Sequence, residues 1–188
     1  AAYAGLAQNL EAGDGVDGYK KTGDATENTL ILNSGATIAD GYGADVRTEA
    51  GNATKNSIDL KGANVTGNLY AGALTHTSAG GSATDNTVSL YSGSVAGNVY
   101  GGFASGNGRT TGNTITITGG TMGDVYGGYT SGTGATTGNT VNLGTATTAF
   151  TATSVGTVYG GNKTGAAGIA GNTLNVNSRS ARATDEVV

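Results

Sequence analysis

The chain has no cysteine, no proline and no tryptophan, and among its 188 residues it has one histidine and one methionine. Without cysteine there is neither a disulfide nor a thiolate metal site. The lone histidine, His76, lies among Thr, Ser and Gly residues, which leaves no two-histidine metal site and no sign of a catalytic triad. Aromatic residues make up 6% of the chain, too little to fill a thick core with large side chains. Basic residues are scarce as well: nine Lys and Arg against thirteen Asp and Glu give a net charge of −4 and a pI near 4.7. The electrostatic drive toward nucleic acid or an anionic membrane is therefore missing. No apolar run reaches the roughly 18 residues of a membrane-spanning helix, so direct membrane insertion is not expected. The first residues also lack the basic and apolar regions of a secretory leader, so an exported protein would be represented here by mature sequence.

Glycine is abundant, at 36 residues, and it recurs at regular places. The phrase Val-Tyr-Gly-Gly stands at Val99–Gly102, Val125–Gly128 and Val158–Gly161, with looser copies at Leu69–Gly72 and Ala2–Gly5. The first complete copy is the weakest, with Gly41-Tyr42-Gly43-Ala44 in its place. A second phrase, Asn-Thr-apolar-polar-apolar, begins at Asn28, Asn56, Asn86, Asn113, Asn139 and Asn172. Successive Asn numbers differ by 28, 30, 27, 26 and 33, a period that marks a stacked solenoid.

Inside the Asn phrase, Val88-Ser89-Leu90 and Ile115-Thr116-Ile117 alternate as a strand with one buried face does. A second apolar stretch follows at Val95–Val99, Met122–Val125 and Val155–Val158, after turns such as Ser92-Gly93 and Gly119-Gly120. Each repeat thus holds two strands or more, and its inward set is read as Val88, Leu90, Val95, Val99 and Phe103. An antiparallel meander gives no reason for Asn, Thr and Tyr to recur at fixed places. In a parallel solenoid identical residues stack about 4.8 Å apart and form ladders. The expected fold is an all-β parallel solenoid of about six rungs, forming a single domain over 1–188 with an irregular tail at 177–188.

The Asn column (Asn28, Asn56, Asn86, Asn113, Asn139, Asn172) reads as a structural ladder of stacked amides at a bend. The Tyr column (Tyr3, Tyr42, Tyr70, Tyr100, Tyr126, Tyr159) has two readings. Outward rings flanked by Gly offer an aromatic stripe to sugars or a partner protein, with Tyr70, Tyr100, Tyr126 and Tyr159 as candidate binding residues. Alternatively the rings stack on one another and stiffen the sheet. Thr29, Thr87, Thr114, Thr140 and Thr173 fall on an outward face. Thr114-x-Thr116-x-Thr118 is one good rung of an ice-binding array, but Asp59, Lys61, Asn142 and Gly144 spoil the neighbouring column. Asp59 and Lys61 are the one strand-borne pair that could serve a polysaccharide-acting enzyme, and they also read as an exposed ion pair. Acidic residues gather at Glu11, Asp14, Asp17, Asp24 and Glu27. Gly13-Asp14-Gly15-Val16-Asp17-Gly18 is faintly similar to a calcium-binding Gly-Asp turn, but it occurs once. No cofactor and no metal is expected.

Asn-Thr-Val-x-Leu strands alternating with Gly-x-Val-Tyr-Gly-Gly-Tyr segments, as over Asn113–Tyr129, resemble repeats in the passenger regions of bacterial type V autotransporters and related large surface adhesins. The resemblance spans Tyr3 to Val176. It implies a right-handed parallel β-helix, an extracellular or bacterial cell-surface location, and a non-enzymatic role in attachment to a host glycan or protein or in self-association. The chain then represents a fragment of a longer protein. The spacing is also near twice the short repeat of trimeric autotransporter heads, which keeps a left-handed trimeric β-roll as the alternative fold. A self-assembling extracellular filament joined head to tail is the alternative function. A polysaccharide-acting enzyme and an ice-binding protein stand behind it.

Overall fold

A computed structural model describes residues 1–8, 23–48, 50–76, 80–166 and 168–177. Every regular element in it is a β-strand, and every ladder between strands is parallel. The chain winds through three sheets in turn and returns to the first, which makes it a parallel β-solenoid.

The tyrosine sheet stacks Ala2–Gln8, Gly41–Arg47, Leu69–Leu74, Val99–Ala104, Val125–Thr130 and Val158–Lys163 in that order. A narrow sheet stacks Ala25–Thr26, Ala53–Thr54, Ser82–Thr84, Arg109–Thr111, Thr136–Thr137 and Ile169–Ala170. The long sheet stacks Thr29–Asn33, Ser57–Val65, Thr87–Val95, Thr114–Ile117, Thr140–Leu143 and Thr173–Val176. Two short strands extend the long sheet: Thr37–Ile38 pairs with Ser57–Val65, and Thr121–Met122 pairs with Thr87–Val95. Ser92-Gly93, read as a turn, lies inside the continuous strand Thr87–Val95, where register shifts after Leu90 and Ser92 bend it as a bulge. At Gly119-Gly120 the strand does break, so the same corner is made in two ways.

The core is a set of apolar columns running along the stack. Ile58, Val88, Ile115 and Val141 form one, and Leu60, Leu90, Ile117 and Leu143 the next. Leu69, Val99, Val125 and Val158 face them from the tyrosine sheet, and all belong to a single buried cluster. A smaller cluster of Ala25, Ala44, Val46, Ala53, Leu74, Ala83 and Ala104 fills the angle between the tyrosine and narrow sheets. Branched aliphatic side chains suit the larger cluster, because stacked strands pack them one above another with little loss of rotamer freedom, while the narrower angle is filled mostly by alanine.

Phe103 is not part of this core. Tyr100 and Phe103 lie on the same outer side of their strand, while Ala104 is fully buried. Gly101-Gly102 place two side-chain-free residues between the aromatics, and the inward-outward alternation skips a step there. Of the tail at 177–188, only Asn177 is described, and its N–H still bonds the carbonyl of Leu143. The acidic segment Gly13–Gly18, with Glu11, lies outside the described residues.

Candidate functional site

Between the narrow and long sheets the chain turns on one residue. Glu27, Lys55 and Asp85 occupy that place with φ of 57°, 55° and 55°, and Gly112, Gly138 and Gly171 with φ of 67°, 64° and 63°. This left-handed backbone swings the next residue, always Asn, into the interior. Asn56, Asn86, Asn113 and Asn139 are completely buried.

A buried carboxamide is costly unless all its groups are bonded, and here each rung bonds the next. The Asn113 N–H and its Nδ2 both donate to Oδ1 of Asn139, at 3.0 and 2.8 Å. The second Nδ2 proton goes back to the carbonyl of Ala83, at 2.9 Å. Its own Oδ1 accepts the N–H and Nδ2 of Asn86. The same pattern links Asn28 to Asn56, Asn56 to Asn86, and Asn139 to Asn172. Every donor and acceptor of the middle side chains is used, so this column has no capacity left for a ligand.

The second Gly of Val-Tyr-Gly-Gly belongs to the same construction. A Cβ at Gly72, Gly102, Gly128 or Gly161 would run into the carboxamide of Asn86, Asn113, Asn139 or Asn172 respectively. The two recurring phrases are thus halves of one contact. Ala44 stands at the equivalent register in an earlier turn, where it packs within the all-aliphatic cluster that includes Ala25. Gly128 instead faces the Thr110 hydroxyl as well as Asn139.

The tyrosines form a second column. Consecutive rings from Tyr3 through Tyr42, Tyr70, Tyr100, Tyr126 to Tyr159 have centroids 4.9–5.0 Å apart and planes within 4–11° of each other. Phe103 leans edge-on against Tyr70 and Tyr100, and Tyr129 against Tyr100 and Tyr126. The candidate stripe residues Tyr70, Tyr100, Tyr126 and Tyr159 are half-buried; the first three have both ring faces turned toward neighbouring rings, and Tyr159 has one face stacked on Tyr126. Rims and hydroxyls are what this column offers to solvent.

A third column lies two residues before the tyrosines and has no counterpart in the sequence reading. Asp40, Asn68, Asn98 and Asp124 each accept, through Oδ1, the N–H one turn further on: Asn68, Asn98, Asp124 and Thr157, at 2.8–3.0 Å. The recurring signal is Asx-x-Tyr, with Asp and Asn interchangeable because the bond needs only a side-chain carbonyl oxygen. These side chains also reach the phenols. Nδ2 of Asn98 donates to the Tyr100 hydroxyl, and the Tyr126 hydroxyl donates to Oδ2 of Asp124, both at 3.2 Å.

Burial, reinforced by Asp40 and Asp45, pushes the Tyr42 phenol up to about 12. Burial raises Tyr70, Tyr100 and Tyr126 too, and Asp124 adds to the effect at Tyr126. At the N-terminal part of this face Asp45 is buried, holding Thr75 Oγ1 at 2.6 Å and Arg47 Nε at 2.8 Å. Arg47 in turn donates to the Tyr3 hydroxyl at 2.9 Å.

The outer face of the long sheet carries a hydroxyl column, Thr29, Ser57, Thr87, Thr114, Thr140 and Thr173. Beside it runs a mixed column, Ile31, Asp59, Ser89, Thr116, Asn142 and Asn175. Asp59 and Lys61 pair at 2.9 Å, both open to solvent, and Lys61 also lies 5.6 Å from the Tyr91 ring centroid. Across the corner, the narrow sheet presents Thr26, Thr54, Thr84, Thr111 and Thr137 in register. His76 is half-buried just beyond the strand Leu69–Leu74. Among the described residues, no three His, Cys, Asp or Glu side chains come together as a metal site would need.

Fold and ladders together define a parallel β-solenoid repeat protein whose most regular side chains bond one turn to the next. No protein-family model matches the chain, and neither a curated protein nor a solved structure gives a significant match.

Proposed function

We propose that this chain is a non-enzymatic structural and adhesive segment of a bacterial surface-exposed or secreted protein, akin to autotransporter passengers and large surface adhesins, acting in attachment or self-association. The supporting observation is a division of labour among the repeated residues. Asn, Tyr and Asx columns are bonded from turn to turn along most of the stack. The hydroxyl and mixed columns on the outer face of the long sheet instead recur once per turn at exposed or half-exposed positions and are linked at fewer places, Ser57 to Thr29, Asn142 to Thr116 and Asn175 to Asn142. Such a face suits many weak contacts made at once, where avidity replaces affinity. The charged pairs fit the same reading, because Asp59 binds Lys61 on the outer face and Arg47 is held by the buried Asp45.

The test is adhesion of beads coated with the chain to bacterial cells, host proteins, immobilised glycans and one another. Thr116→Lys, on the outer face, should sharply reduce capture and lower the thermal midpoint only slightly, because it gives up just the long contact from Asn142. Failure of the unaltered chain to capture any of these surfaces at high coating density would sink the adhesive reading.

A further inference from the structure

The chain is unusually poor in residues that give up electrons, except for one type. It has no cysteine and no tryptophan, and its single methionine, Met122, is buried, whereas it has nine tyrosines. Six of these stand in the continuous stack, and a seventh, Tyr129, touches it edge-on. Ring-to-ring distances of 4.9–5.0 Å allow an electron vacancy created at one ring to move to the next.

Where the vacancy rests depends on the proton. A phenol that loses an electron becomes a strong acid and is trapped where a base already holds its hydroxyl. Tyr3 and Tyr100 have donors at their oxygens, the Arg47 guanidinium and the Asn98 amide, and neither accepts a proton. Asn68 is the corresponding partner at Tyr70. Tyr126 is different: its O–H already points at a carboxylate, Oδ2 of Asp124.

We propose that the tyrosine stack is a path for one-electron oxidation with Tyr126 as its resting site and Asp124 as the proton acceptor. An outer-sphere one-electron oxidant takes one electron from any ring of the stack, and that phenol releases its proton to water. The ring then regains an electron from Tyr126 through the intervening rings and a proton from water. The Tyr126 O–H bond breaks, its proton moves to Asp124, and a neutral phenoxyl remains at Tyr126. The net change is one electron to the oxidant and one proton to Asp124. Oxidation is thus drawn from the more exposed Tyr3 to a half-buried position.

Photogenerated ruthenium(III) trisbipyridine supplies the oxidant. Rapid-freeze electron paramagnetic resonance and mass-spectrometric mapping of nitroso-trap adducts supply the readout on the full chain. Tyr91 is the off-stack reference, since it is 50% exposed, against 39% for Tyr3. The expected result is a tyrosyl signal whose main component is lost in Tyr126→Phe and replaced by signal from other rings, with adducts in the unaltered chain several-fold higher at Tyr126 than at Tyr91. Asp124→Asn places at this position the residue found at 68 and 98, so the backbone bond to Thr157 is retained while the base is lost. It should move the adducts toward Tyr3 and Tyr42. Tyr100→Phe keeps the stacking but interrupts the path, and should raise adducts at Tyr42 and Tyr70 at the expense of Tyr126. Adducts that follow exposure alone, led by Tyr91 and Tyr3 in all these proteins, would overturn the proposal.

Discussion

Gly128 lies against the carboxamide of Asn139, so that a Cβ at Gly128 would stand 2.5 Å from Nδ2 and 2.6 Å from the Thr110 hydroxyl. Gly128→Ala must push the buried ladder aside. A destabilisation of about 2–4 kcal/mol is expected, of the order seen for overpacking coupled to a lost buried hydrogen bond. Gly138→Ala is the contrast. Its only neighbour is the Gly112 nitrogen at 4.0 Å, and its φ of +64° leaves backbone strain as the whole penalty. That strain, partly offset by a stiffer unfolded chain, should cost about 1 kcal/mol. Denaturant unfolding of the two variants, compared side by side, checks the order.

Removal of a middle rung of the amide ladder should be among the most damaging single changes. Asn113→Ala strands the N–H and Nδ2 of Asn86 and the carbonyl of Ala83 in a dry interior. With each orphaned group costing about 1–3 kcal/mol, a loss of about 3–5 kcal/mol is expected. In the unaltered chain, the backbone amides of Asn56, Asn86 and Asn113 should be among the slowest to exchange in deuterium oxide.

Alkali should loosen the structure through the tyrosines. The folded Tyr42 phenol is raised to about 12 from an ordinary value of 10.0, so between those values the unfolded chain has lost a proton that the folded chain retains. Stability therefore falls as pH rises through that window, and the contribution is fully present below pH 10. Tyr70, Tyr100 and Tyr126 shift in the same direction and steepen the decline. Thermal midpoints measured from neutral pH into alkali, alongside phenolate absorbance, should show ionisation coinciding with unfolding.

The stack should owe its contribution to rings more than to hydroxyls. Tyr100 makes face contacts with Tyr70 and Tyr126 and edge contacts with Phe103 and Tyr129. Tyr100→Ala should cost about 3–5 kcal/mol, and Tyr100→Phe, which loses only the bond from Asn98, about 1 kcal/mol or less. Equal losses would assign the stability to the hydroxyl.

The sheet stacking is legible in the sequence because Asn and Tyr recur with no substitution of type, and the strands around Val88 and Ile115 are long enough to show a two-residue period. The narrow sheet escapes because strands such as Ala25–Thr26 and Thr136–Thr137 are too short for any period. The corner residue escapes for a different reason. Glu27, Lys55 and Asp85 share a backbone conformation with Gly112 and Gly138 but no side-chain chemistry. The column of Asp40, Asn68, Asn98 and Asp124 is hidden by its alternation of charged and neutral side chains, although one oxygen does the same task in each. Phe103 shows the limit of counting by twos: Gly101-Gly102 cancels a step that spacing alone treats as regular.

In the asparagine column each N–H and each bridging Nδ2 points toward higher residue numbers, and each Oδ1 toward lower ones. The amides are dipoles in series and polarise one another along the whole stack. That gives the rod an electrical sense, with donors leading and acceptors trailing, so any segment continuing it in line must run the same way. An inverted neighbour would set donor against donor at the Asn172 end and acceptor against acceptor at the Asn28 end.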